Sequence, residues 1–126
     1  MAQAAVKIGI QAPSDALEAA ILDRGHLLRM TFGDRSLERE VLQLFDRQAE
    51  LLMERMRKSD PAAVATLAHT LKGSAVGVGA VRVARAAANA ELVATRAPHE
   101  CSRAIGQLTA AVDEARAQIT AVMRAE

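Results

Sequence analysis

From Cys101 to Val122 the residues Cys101, Ile105, Leu108, Val112, Ala115, Ile119 and Val122 alternate steps of four and three. An α-helix returns to the same face about every 3.6 residues, so this spacing is the seam of a helix packed on other helices. A strand, which buries every second residue, cannot use it. The rest of the chain agrees. It has two phenylalanines, no tyrosine and no tryptophan, and its apolar residues are mainly alanine, leucine and valine. Few β-branched or aromatic alternations of the kind that builds sheets appear. The fold class is therefore all-α, and 126 residues make one domain.

Punctuation divides the chain into helices. Ser14 in "APSD" and Asp34 in "GD" are N-cap residues ahead of apolar periodic runs. "SDP" at 59–61 ends one helix and starts another, with Pro61 in the first turn. "GVGA" at 77–80 reads as a turn and "APH" at 97–99 as the last break. Helices are predicted over 15–31, with Gly25 a point where the first can break, and over 35–58, 61–77, 80–96 and 98–124. Residues 1–14 form a flexible N-terminal segment and residues 15–126 the helical domain. In the second helix Leu37, Val41, Leu44, Phe45, Leu52 and Met56 are the expected core stripe. Short connections make successive helices antiparallel neighbours. The expected architecture is an antiparallel up-and-down four-helix bundle with a short extra N-terminal helix covering one end.

Several functions are disfavoured. Sixteen basic and fifteen acidic residues nearly cancel, without the concentrated positive stripe that nucleic acid requires. No apolar run approaches the ~18 residues of a membrane span. The opening "MAQAAVKIGIQAPSD" makes a poor signal peptide, and Cys101 has no second cysteine to pair with. These features fit a cytoplasmic protein. "KGSAVGVGA" has its lysine ahead of the glycines and no strand before it, so it is not a P-loop. A dinucleotide fingerprint would need glycine where Arg82 stands. The three histidines are too scattered for a metal site, with no Glu-x-x-His pair, and Cys101 sits on the core seam. His26 and His99 read as exposed helix-end residues.

The stretch "LAHTLKGSAVGVGA" at 67–80 is different. Val64, Leu67, Ala68, Leu71, Ala75 and Val78 share one face, which must be the core. At about 100° per residue, His69 points about 140° from that stripe and Gly73, one turn on, about 180°. Ala62, Ala65, Gly73 and Val76 surround the histidine on the outer side, with Lys72 towards one edge. The face is flat, nearly bare of long side chains, and centred on an imidazole. If the chain reverses at Gly79–Ala80, His69 and Glu91 stand equidistant from position 80 and meet across the antiparallel pair. Glu91 lies at the border of the expected stripe Val81, Ala84, Ala88, Leu92. A carboxylate on one ring nitrogen fixes the tautomer and leaves the other nitrogen free to react.

His69, Lys72, Gly73, Ser74 and Gly79 stand at the spacing of a signature: histidine, lysine three later, glycine four later, a small residue, and glycine ten later. In this the chain resembles the histidine-containing phosphotransfer (HPt) domains of bacterial phosphorelays. The lead-in "FGDRSLEREVLQLFDRQAELLMERMRKSDPAAVATLAHTLKG" is also similar, so the likeness spans roughly residues 20–95. Gly77 stands where the family more often has asparagine.

The resemblance implies that His69 takes a phosphoryl group from a receiver-domain aspartate of a hybrid histidine kinase and passes it to a response regulator. It implies that Lys72 lies beside the phosphoryl group and that Gly73 leaves room for the docking partner. Glu91 stands where the family often has an amide or acid bonded to the imidazole. The chain would hold no cofactor; Mg²⁺ is expected from the receiver's acidic pocket, since no carboxylates cluster around His69. Such a protein is a carrier without autokinase activity. The alternative is a non-catalytic helical adaptor that uses the Ala/Gly face for binding alone. A histidine-kinase dimerisation domain fits less well, because no ATP-binding domain follows. Four helices in one chain suggest a monomer, with the long last helix available for pairing.

Overall fold

The computed structural model describes residues 20–125; the Ser14 cap and the flexible segment expected over 1–14 lie outside them. The described chain is helical: α1 (Arg24–Met30), α2 (Arg35–Arg57), α3 (Pro61–Val78), α4 (Val81–Arg96), a 3-10 turn (Pro98–Glu100) and α5 (Cys101–Ala125). Each start has a local cause. Asp23, Asp34 and Asp60 accept hydrogen bonds from the backbone N–H of His26, Leu37 and Ala63, satisfying donors that a first turn leaves unpaired. Pro61 sits in the first turn of α3, where its missing N–H costs nothing.

Three boundaries differ from expectation. The described part of the first helix begins only at Arg24, because Asp23 caps it, and Gly25 lies inside it rather than breaking it. Helix α3 runs through Gly77 to Val78. The turn is made by Gly79 alone, at φ 79, with the Ala80 N–H donating to Ala75 O at 2.8 Å and the Gly79 N–H to Val76 O at 3.3 Å. The predicted 98–124 helix opens with a single 3-10 turn, and its α-helical part starts at Cys101.

Helix α3 packs most extensively on α4, α4 on α5, and α2 on both α3 and α5. Polar contacts give the register. On α2 and α5, Arg39 reaches Met123 O and Arg116 reaches Asp46, so contacts step down one helix as they step up the other. Arg82–Glu114 and Asn89–Gln107 do the same for α4 and α5. Between them lies one core that includes Leu42, Phe45, Met56, Val64, Leu71, Val83, Leu108, Val112 and Ile119. The α5 seam is buried as its spacing demands, with only Ile105 partly exposed.

Two stripes come out differently. On α2, Leu37 and Leu44 face solvent, while Leu42, Ala49 and Met53 join Phe45, Leu52 and Met56 in the core. On α4 the buried set is Val83, Ala87, Ala90 and Ala94; Ala88 and Leu92 are exposed. Both helices carry apolar residues around more than one arc, so hydrophobicity alone does not choose the inner one.

Helix α1 is fixed to the α3–α4 turn. The Asp23 N–H donates to Gly79 O at 2.8 Å, and His26 Nε2 donates to Gly77 O at 3.0 Å. His26 is therefore half-buried and capping a carbonyl at the end of α3, not merely exposed. His99 is exposed as expected. Arg24 reaches the buried Glu38 carboxylate at 3.3 Å and ties α1 to α2.

Candidate functional site

On α3, Val64, Ala68, Leu71, Ala75 and Val78 are buried and Leu67 is partly so, which turns the opposite face outward. His69 stands on that face with two thirds (66%) of its side chain exposed. Gly73, one turn later, is exposed, and a Cβ built there would meet nothing within 4 Å. No close helix contact requires this glycine. Ala62 and Val76 are exposed and Ala65 is half-buried, so the surface around the imidazole stays low. An open depression of about 390 Å³ beside it is lined by Ala65, Thr66, His69, Thr70 and Glu91. Thr66 and Thr70 were not singled out by sequence; both lie within a turn of His69 on the same helix.

Helix α4 supplies the carboxylate. Glu91 Oε2 is 3.0 Å from His69 Nδ1, and Glu91 Oε1 is 3.1 Å from Lys72 Nζ. A carboxylate only accepts, so in the neutral imidazole the proton resides on Nδ1 and the Nε2 lone pair is left bare. Lys72 is one third (34%) exposed, with its ammonium on Glu91. Spacing suggested the His69–Glu91 meeting; it did not suggest that one carboxylate bridges imidazole and ammonium. The three side chains form one charge-assisted network across the α3–α4 seam.

Electrostatics follow from this contact. The hydrogen bond from Lys72 is the largest influence on Glu91, and with His69 it outweighs partial desolvation, holding the carboxyl below the ordinary carboxylate range. The sign is that of a depressed acid. The network is fully present above the ordinary carboxylate range and is lost only as pH falls through the lowered value.

The other reactive residues stay apart from this site. Cys101 is buried, and burial pushes its thiol pKa up, away from the reactive thiolate. Among the described residues no group of three or more His, Cys, Asp or Glu side chains could hold a metal ion, and no helix is long and apolar enough to cross a membrane.

Residues 36–118 match a family model described as an Hpt domain. Neither a curated protein nor a solved structure matches the chain.

Proposed function

The chain belongs to the Hpt domain family, and from that premise we propose that His69 is its phosphoacceptor, shuttling a phosphoryl group between receiver-domain aspartates. An Hpt domain is a phosphotransfer module of two-component signalling and interacts with receiver domains. Such modules are carriers. The finer reading rests on one observation, an exposed imidazole whose Nδ1–H is held by Glu91.

In the forward step Nε2 attacks phosphorus, the N–P bond forms, and the acyl phosphate O–P bond breaks with its electron pair returning to the aspartate. In the reverse step a receiver aspartate attacks phosphorus and the pair returns to Nε2. The Nδ1 proton stays in place both ways, so Glu91 orients the ring without proton exchange. Lys72, which donates to Glu91, is proposed to turn towards the added negative charge. Ala62, Ala65, Gly73 and Val76 are the proposed docking face. Mg²⁺, which neutralises charge on the transferring group, is proposed to come from the receiver. The scaffold is proposed to be the antiparallel up-and-down four-helix bundle, with α1 across the α3–α4 end.

The test uses radiolabelled phosphate. The purified protein is expected to remain unlabelled with Mg·ATP alone and to become labelled when a phosphorylated receiver is added. Labelling from Mg·ATP alone would overturn the carrier reading. A failure to accept label from a panel of active receivers would favour the adaptor, for which the same flat Ala/Gly face suffices.

Lys72→Ala gives a second expectation. Its ion pair is partly solvated, so the melting temperature is expected to stay close to that of the parent. Transfer rate or phosphohistidine lifetime is expected to fall by a barrier change on the order of 1–3 kcal/mol, the loss of one charge-assisted bond. An unchanged rate and lifetime would reduce Lys72 to a surface lysine.

A further inference from the structure

Leu37, Leu44 and Leu51 recur every seven residues along the outer face of α2 and are 37%, 59% and 48% exposed. Isolated exposed leucines are ordinary on a protein surface. Three in heptad register, spanning about 21 Å of one helix, form a narrow apolar seam along that face.

The charges beside the seam indicate the occupant. Glu40 and Arg47 lie on one flank, each three residues beyond a leucine. Both are exposed, and neither has an ion pair among the described residues. We propose that a second copy of this chain covers the stripe, with the two α2 helices antiparallel about a two-fold axis at Leu44.

In that arrangement Leu44 meets Leu44 of the other copy and Leu37 meets its Leu51. A two-fold axis brings like flank to like flank, so Arg47 of each copy falls beside Glu40 of the other, twice over. At the ends, Arg55 falls beside Asp34 of the other copy. The surface is thus complementary to itself in shape and in sign, as a two-fold interface must be. A parallel pairing in register would instead set this flank against the opposite, uncharged one, with Glu40 beside Val41 and Arg47 beside Gln48 of the other copy, and both charge contacts would be lost. The pairing uses α2 rather than the long last helix, whose apolar seam is occupied by the core. His69 and Glu91 stand on α3 and α4 and take no part in it.

Sedimentation equilibrium of the full chain is expected to show mass rising with concentration from one copy to two. Leu44→Glu is expected to stay at one copy throughout with unchanged circular dichroism, since the position is already exposed. Glu40→Arg should weaken the pairing, and adding Arg47→Glu should restore it. Under mild oxidation Leu44→Cys should cross-link to itself, whereas Leu37→Cys should do so only with Leu51→Cys present. A parent that stays at one copy at every concentration would overturn the proposal. So would a Leu44→Glu variant that still pairs, or efficient self-cross-linking of Leu37→Cys alone.

Discussion

His69→Gln is expected to abolish phosphoryl acceptance while leaving the fold intact. The side chain is two thirds exposed on a helix whose opposite face carries the core, so no packing is lost. Glutamine is a good helix former and can still donate a hydrogen bond to Glu91. The stability change is expected within about 0.5 kcal/mol, the range of ordinary surface substitutions. Circular dichroism and thermal melting check the fold, and label transfer from a phosphorylated receiver checks the function. Parent label should be acid-labile and alkali-stable. Label that persists in His69→Gln would place the phosphoacceptor elsewhere.

Gly73→Gln is expected to separate stability from function in the opposite sense. Glycine costs a helix interior about 1 kcal/mol relative to alanine. A Cβ at this position meets nothing within 4 Å, so the substitution recovers part of that cost without a clash. The melting temperature is expected to equal or exceed that of the parent. The new side chain would stand one turn from His69 and hold the receiver away, and a displacement of about 1 Å can cost on the order of 10²-fold in rate. Phosphotransfer is expected to drop by that order. A variant that melts early would mean that position 73 faces the core; one that transfers normally would mean that the receiver does not approach over it.

How much of this was legible in sequence depended on how unambiguous each helix was. On α5 the large apolar residues occupy one seam, so period and burial coincide. On α2 the leucines at 37, 44 and 51 form a second apolar arc beside the buried one, and sequence cannot say which arc faces in. On α4 the buried positions Ala87, Ala90 and Ala94 are chemically the same as exposed Ala88, so alanine gave no direction. The His69–Glu91 meeting survived that error because it depends on where the chain reverses, and Gly79 fixes that point. The Lys72–Glu91 contact was not legible, since a flexible lysine stem can reach many partners. The His26–Gly77 bond was not either, because it arises only when α1 folds back across the turn.

The alanines beneath the site have a mechanical consequence. Ala68 and Ala75 on α3, with Ala87, Ala90 and Ala94 on α4, are buried, and these two helices pack together more extensively than any other pair. Small residues let helix axes approach towards the lower end of the usual 8–10 Å spacing. The reach between imidazole and carboxylate is therefore expected to depend on the small volume of these buried residues. Each methyl group added to that foundation acts as a shim, widening a gap at the surface that it never touches. The proposed reactivity of His69 is in this way expected to be tunable from the buried alanines, while the exposed residues around it remain the same.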